Sequence, residues 1–426
     1  MAKQIGRFDA IVVGARIAGC VTTAALAQLG WSILLIERAQ FPRPTLSTHL
    51  FFSDTLHAFQ RAGLLEPVLR IGAPRLRWLR FPYVAAPFPE SGEFDFALCI
   101  RRDVLDTALF ETVRSLSNVT ALTSARVTAV RRVDDRRWDV VVETTSEEWL
   151  ASAPLVIGAD GKDSIVARQV GAPVLQEIPP LFAWYYTYVD DLPWDSDLAA
   201  LAYRGDYPEI GAEYAAAFLF PCDAGLTLVG YGVEHRAFPA FRRDVTHHFF
   251  AGLRRIPEVW ERFAAARQVA PIRGTGHLPN FLRQASGTGW ALVGDAGCHQ
   301  DPHSVQGMGN AARSAWLLAE ELARVQTEGI DLQQALARYA SRRDDDLLPM
   351  FAFTTFELRR RLPDDIWERF EARTREDPHL ASLRVAAMVH AIHPATVYTP
   401  ERVVSLANGE AVLPSTRLKN NPYASS

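Results

Sequence analysis

The sequence predicts an α/β protein: a Rossmann-like domain built on a parallel sheet, an interleaved antiparallel β-sheet domain, and a helical C-terminal region. Three observations carry this. An apolar strand runs into a glycine turn at the N-terminus, Phe8-Asp-Ala-Ile-Val-Val-Gly14-Ala-Arg16-Ile-Ala18-Gly19. Two further strand-and-turn segments follow far downstream, Val156-Ile-Gly-Ala-Asp160-Gly161 and Trp290-Ala-Leu-Val-Gly294-Asp295. Between them lie short aromatic-rich β runs separated by Pro, Asp and Gly turns. The expected division is a discontinuous dinucleotide domain at 1–75, 100–180 and 275–340, a substrate-binding sheet domain at 76–99 and 181–274, and a helical region at 341–426.

Taken in order, Asp9 to Val13 reads as a strand, Ala18 to Leu29 as a helix stopped by Gly30, and Trp31 to Ile36 as the second strand of a βαβ unit ending at Glu37. A helix over Arg102 to Leu116 leads into β runs at Val119–Val130 and Trp138–Glu143, and the 155–158 strand delivers the Asp160-Gly161 turn. Phe182–Val189, Ala215–Phe220 and Leu226–Tyr231 predict an antiparallel sheet. Arg236 to Ala266 reads as helical, 290–293 as a returning strand, and Gly309–Val325, Leu332 to about Phe356 and a segment near Met388 as helices. Only Asn420 to Ser426 look like a loose tail.

The 426 residues with 48% hydrophobic content suffice for a large core or for two domains sharing an interface. A net charge of −4 and a pI of about 6.3 leave no basic footprint for nucleic acid. Positive charge is almost all arginine, with Lys only at Lys3, Lys162 and Lys419, so it comes as planar forks suited to phosphate and carboxylate. Cys20, Cys99, Cys222 and Cys298 form no C-x-x-C pair, which argues against a redox disulfide or a zinc site and points to a reducing cytoplasm. Neither a secretory signal nor stable membrane insertion is expected.

A glycine turn between strand and helix lets backbone N–H groups and the positive helix end face a pyrophosphate, while an acid some twenty residues on takes a ribose hydroxyl. Gly14, Ala18, Gly19 and Glu37, with Arg38 beside it, suit those positions. Arg16 stands where G-x-G-x-x-G has its middle glycine. Either the turn is displaced, or the Arg16 guanidinium supplies a charge contact instead.

Together these segments resemble the group A flavin monooxygenases, the aromatic hydroxylases of the para-hydroxybenzoate hydroxylase fold, over most of residues 8–340. The resemblance implies FAD as the bound cofactor and NAD(P)H as a transient one. Asp160, Gly161, Ser164 and Arg168 match the family's D-G segment, and Asp295, Pro302, Gly307 and Gly309 match its G-D segment and flavin-facing helix, with Met308 between the glycines. Arg102-Asp-Val-Leu105 matches R-x-x-L, whose arginine approaches the ribose and pyrophosphate, and Val127 matches the strand residue beside the adenine. Ser314 departs from the acid common on that helix.

Independently of family, a helix begun by glycines presents N–H donors to the electron-rich N1 and C2 carbonyl side of a reduced flavin. Oxygen transfer beside a flavin also needs a pocket that keeps water away. Trp184, Tyr186, Tyr203, Phe218 and Phe220 are candidates for its wall, against the ordinary reading of alternating aromatics as core. His49 is the candidate catalytic residue, to orient substrate or take a phenolic proton, with a satisfied loop histidine as the plainer reading. His299 and His303 share an i, i+4 spacing, but Pro302 argues for a loop and against a metal.

The expected function is NAD(P)H- and O2-dependent hydroxylation or epoxidation of a small hydrophobic, aromatic or polyketide-like metabolite. The electrons come from NAD(P)H directly or through a separate flavin reductase. Halogenases share the dinucleotide domain but need a lysine beside the flavin and a W-x-W-x-I-P segment, both absent here. The alternatives are reduction of prenyl-chain double bonds, as in geranylgeranyl reductases, and a flavin-binding protein without catalysis. The oligomeric state is not encoded in any motif.

Overall fold

A computed structural model describes residues 3–81, 84–194, 199–359 and 362–410. The principal elements begin with β1 (Ala10–Val13), α1 (Ile17–Gln28) and β2 (Ile33–Ile36), then α2 (Arg102–Arg114), β3 (Val119–Leu122) and β4 (Leu155–Gly158). The long strands β5 (Phe182–Asp190), β6 (Ala199–Tyr207), β7 (Ala212–Pro221) and β8 (Thr227–Glu234) follow. β9 (Trp290–Leu292) returns to the first sheet, and α3 (Gly307–Thr327), α4 (Leu332–Leu358), α5 (Asp364–Glu376) and α6 (Pro378–Met388) come after it.

β1, β2 and β4 are buried at every residue, as continuous apolar runs in a sheet covered on both faces must be. The parallel order is β9-β4-β1-β2-β3. One face packs on α1, α2 and α3 through Val21, Leu109 and Ala315. The other packs on a mixed four-stranded sheet that includes the antiparallel pair Arg126–Asp134 and Arg137–Glu143, through Val127, Val140 and Val142. Parallel pairing sets Val13 beside Ile36 and Gly158, and Gly158 beside Leu292. The turns that follow these residues therefore emerge at one sheet edge, which is how motifs nearly 300 residues apart reach one ligand.

The second sheet has the antiparallel core β5-β8-β7-β6, and Trp78–Arg80 adds in parallel to β6. Its period-two alternation separates two faces. Tyr185, Val229, Tyr231 and Leu219 pack on helices at Val245–Arg254 and Pro257–Ala264, while Trp184, Tyr186, Phe218 and Phe220 face the dinucleotide domain and the C-terminal helices. Glycines on β8 make room for the second set. Cross-strand from Trp184 is Gly232, where a Cβ would lie 2.4 Å from the indole, and cross-strand from Phe218 is Gly230, where it would lie 2.0 Å from the ring.

Three expectations need correction. β6 was not anticipated, because Ala199–Tyr207 lacks the aromatic density of its neighbours. The single helix over 236–266 is a 3-10 turn and three short helices, broken where Asp244 caps one and Pro257 starts the next. The C-terminal region does not begin at 341, since α4 runs through that point from Leu332. The tail expected at 420–426 lies outside the described residues.

Candidate active site

A cavity of about 750 Å³ opens at the carboxyl ends of β1, β4 and β9. Its first wall is the glycine turn. Gly14 has φ +101° and sits so close to Ala159 that a Cβ would lie 2.4 Å from its carbonyl oxygen. Gly19 lies beneath the turn, where a Cβ would be 1.8 Å from the Gly14 oxygen. α1 starts at Ile17 with no side-chain cap, so its first N–H groups remain available to an anion. Glu37 fixes this arrangement: one carboxylate oxygen accepts from Ala15 N and the other from Ala39 N, each at 2.9 Å.

Arg16 is held by an acid far away in sequence. Its guanidinium stands 3.6 Å from Asp106, a fully buried carboxylate that Arg102 also grips at 2.9 Å. Burial pushes the Asp106 carboxyl up, and the two arginines oppose that shift. Two guanidiniums sharing one carboxylate leave one net positive charge, and both arginines wall the cavity. That excess suits a pyrophosphate, so the charge-contact alternative fits the geometry.

Asp160 Oδ2 accepts from Ile165 N at 2.7 Å, whereas Oδ1 is buried and has no protein partner among the described residues. Asp295 lines the same cavity. Ser314, the departure from the family's helix acid, accepts from Gly294 N at 2.9 Å and so holds the G-D turn. α3 also begins without a side-chain cap, and Gly307 and Met308 wall the cavity. Its first turn is pinned from the C-terminal region: Gln306 Nε2 donates to the carbonyls of Ser304 and Met388, and His390 Nε2 contacts Gln306 Oε1 at 2.9 Å. A doubly glycine-lined turn, two uncapped helix starts, an unsatisfied carboxylate oxygen and an excess guanidinium are what an FAD requires of its site.

A second cavity of about 100 Å³ lies beside the first, and Thr48, Trp184, Phe218 and Pro302 belong to both walls. Tyr203, Phe220 and Val305 supply apolar surface, and α4, α5 and α6 close the far side. Trp184 Nε1 donates to Asp301 at 2.9 Å, which locks the indole at the junction. Burial pushes the Asp301 carboxyl up. At the far side His303 pairs with Glu357 at 3.4 Å, and Arg204 with Glu371 at 3.3 Å. Burial disfavours the His303 imidazolium, but Glu357 outweighs it and holds the pKa above its ordinary value.

Most of the anticipated residues are brought to these cavities. Gly14, Arg16, Ala18, Glu37, Arg38 and Arg102 line the first, as do Val127, Asp160, Gly161, Asp295, Pro302, Gly307 and Met308. Tyr186 lines the first cavity, Tyr203 and Phe220 the second, and Trp184 and Phe218 both. Gly19 and Gly309 do not reach the wall; a Cβ on Gly309 would meet Asp54 Oδ2 at 2.7 Å, so its smallness serves the buried Arg313–Asp54 pair.

His49 is also outside both walls. It is 1% exposed, with φ +62°, Nδ1 at 2.7 Å from the Ser47 carbonyl and Nε2 at 2.6 Å from the Tyr188 hydroxyl. Nδ1–H donates to the carbonyl, so Nε2 accepts from Tyr188, and burial brings the pKa down to about 3. The ring is neutral and fully engaged, which fits the plainer loop reading. One pair of cysteines approaches closely: the free thiols of Cys99 and Cys222 lie 2.9 Å apart, both buried, because the Leu98–Cys99 strand passes the end of β7. Sequence spacing carries no sign of that approach. Sequence reasoning gave no role here to Asp301 and His303, from the loop after the G-D turn, or to Glu357 and Arg384, from the helical region.

Residues 7–201 match the FAD binding domain family. The chain is 24% identical over 357 residues to digeranylgeranylglycerophospholipid reductase of Methanothrix thermoacetophila, covering 79% of this chain and 83% of that protein. It is 25% identical over 366 residues to ubiquinone hydroxylase UbiL of Rhodospirillum rubrum, covering 81% and 80%. The structure of p-nitrophenol 4-monooxygenase PnpA from Pseudomonas putida superposes with a TM-score of 0.69 at 19% identity, over 96% of this chain and 100% of that one. Flavin-dependent halogenases share the fold too, at 16–20% identity. With the FAD site laid out as above and an FAD-binding domain over residues 7–201, the chain is a flavin oxidoreductase with FAD as its cofactor, and it shares the fold of flavin-dependent monooxygenases and halogenases.

Proposed function

We propose that this protein uses NAD(P)H and O2 to hydroxylate or epoxidise a small, ring-sized hydrophobic metabolite, aromatic or polyketide-like. The observation that carries this reading is the second cavity, apolar at its mouth and joined to the FAD cavity through Trp184, Phe218 and Pro302. Reduced FAD supplies the electrons that activate O2. The chain's own part is placement and exclusion. The first turn of α3 offers N–H donors to negative charge on the reduced ring, and Gln306 with His390 keeps that turn fixed. Trp184 and Phe218, seated on Gly232 and Gly230, wall the junction against water.

Among the described residues, the four shared by both cavities, Thr48, Trp184, Phe218 and Pro302, carry no titratable group, and Trp184 is bonded to the buried Asp301. This chemistry therefore rests on positioning rather than on a dedicated acid or base. Reduction of a prenyl chain, the activity named in one relative, is less well served, because the second cavity is short and ends in ion pairs. Its volume is on the scale of the roughly 150 Å³ hydrophobic cavity known to take benzene. An oxygen-uptake screen of ring compounds with NADPH and NADH tests the reading. Substrate-dependent O2 consumption supports it, whereas substrate turnover that proceeds equally without O2 identifies a reductase.

A further inference from the structure

The start of α3 has two sides. Gly307, Met308 and Ala311 wall the FAD cavity, whereas Gly309, Asn310 and Arg313, at i, i+1 and i+4, turn to a buried cluster of charges. Arg313 is fully buried at its centre. Its Nη1 pairs with Asp54 on the Ser53–Arg61 helix, its Nε donates to Asp346 on α4 at 2.9 Å, and its Nη2 donates to Asn310 Oδ1 at 2.8 Å. Asp54 stands directly against the helix start, since a Cβ on Gly309 would lie 2.7 Å from its Oδ2, and its Oδ1 accepts from Thr55 N at 2.7 Å. The cluster thus ties three elements together: the helix that follows the cavity-walling loop 43–48, the helix that begins at the flavin side, and α4, whose Phe353 and Glu357 wall the second cavity.

The charges do more than brace. Inside a protein a unit charge is weakly screened, so it acts on groups it does not touch. The effect of Arg313 is felt at His390, where its charge joins burial in disfavouring the imidazolium, and His390 in turn contacts Gln306 just before α3. The same charges act on whatever sits at the helix start. An acid beside the positive end of a helix opposes the gathering of negative charge there, and a guanidinium beside that acid favours it. FAD gains negative charge on reduction, so these groups weigh differently on its two states.

We propose that Arg313, Asp54 and Asp346 are positioning residues that act through the start of α3 to set the reduction potential of bound FAD, the guanidinium raising it and the two carboxylates lowering it. This concerns the cofactor and does not depend on the substrate proposed above.

The test is the midpoint potential of FAD in the full chain, read without oxygen against reference dyes, with FAD affinity and urea unfolding measured in parallel. Asp54→Asn keeps an acceptor oxygen and removes one negative charge. It should favour reduced over oxidised FAD about tenfold more than the wild type does, a rise of about 30 mV. Asp346→Asn should move the potential the same way by less, because Asp346 meets Arg313 at Nε and not at the Nη1 that lies beside Gly309. Arg313→Gln should lower the potential by about as much as Asp54→Asn raises it, and Arg313→Lys, which keeps the charge, should hold the ratio within about threefold of wild type. Loss of the guanidinium leaves two carboxylates without it, so if Arg313→Gln does not fold, the aspartate variants decide alone; the Asp346 side chain is 12% exposed at the rim and tolerates the change best. Unchanged potentials in both folded aspartate variants, or a fall in either, overturns the proposal and leaves the cluster a brace only. Shifts of one sign from the arginine and the aspartate variants do the same. No substrate or O2 enters the readout, so a failed oxygenation screen leaves this test intact.

Discussion

Gly19→Ala should abolish tight FAD binding while leaving the protein folded, and the structure gives the magnitude. The added Cβ would sit 1.8 Å from the Gly14 carbonyl oxygen, against an ordinary carbon contact of about 3.5 Å, so the turn or helix must move by more than an ångström. Gly14 cannot absorb the move, because at φ +101° it is itself wedged against Ala159, and its N–H is bonded to the Ile36 carbonyl at 2.7 Å. Overpacking of this kind costs about 1–3 kcal/mol of stability. Binding suffers more. Misplacing two N–H donors that face a pyrophosphate forfeits about 1.5–3 kcal/mol each, or roughly two to four orders of magnitude in affinity. The assay is titration of apoprotein with FAD, followed by flavin fluorescence, with urea unfolding in parallel. Gly30→Ala is the control: it also has positive φ, at +81°, but nothing lies within 4 Å of its Cβ, so it should cost about 1 kcal/mol of stability and no FAD affinity. Wild-type FAD affinity in Gly19→Ala would refute the assignment of this turn to the cofactor.

Gly232→Ala should push the Trp184 indole off its seat and break its bond to Asp301, lowering stability by roughly 2–4 kcal/mol in urea unfolding and raising NAD(P)H-driven peroxide release; an unchanged peroxide yield would remove Trp184 from water exclusion. His49 and His390 are buried neutral, with pKa values brought down by burial to about 3 and about 4. Their unfolded forms bind protons first, so their stabilising contribution is complete above about pH 6.5 and is lost as pH falls toward 4, at up to about 1.4 kcal/mol per pH unit for each. Thermal melts across that window should show the slope, and a His390→Gln variant with the wild-type slope would contradict it. The thiols of Cys99 and Cys222, buried and facing each other, should resist an aromatic disulfide reagent in the folded protein and react together on unfolding; stepwise reaction of either in the native state would be inconsistent with their packing.

The dinucleotide half of the molecule was legible because its motifs obey local rules. A glycine turn, an acid at the end of the next strand and two further turns after apolar strands announce themselves residue by residue, and parallel pairing makes them converge. Arg16 could be read only as a question, since its partner Asp106 is 90 residues away on α2. The aromatic wall was half legible: alternation along β5 and β7 marked Trp184, Tyr186, Phe218 and Phe220, but the glycines that seat two of these rings lie on a different strand. The far end of the second cavity was invisible. Trp367 sits on the amphipathic α5 and Arg384 on the largely buried α6, and only tertiary packing brings both to the wall of that cavity.

The most direct test of the account is the visible spectrum of the FAD-reconstituted chain during addition of NADPH or NADH without oxygen, followed by admission of air. The account predicts FAD bound one per chain, bleaching of its band by one of the two nicotinamides, in the presence of a bound ring compound where needed, and return of the band on exposure to O2. A chain that retains no FAD, or one whose bound FAD is reduced by neither nicotinamide nor by an added flavin reductase, would contradict it.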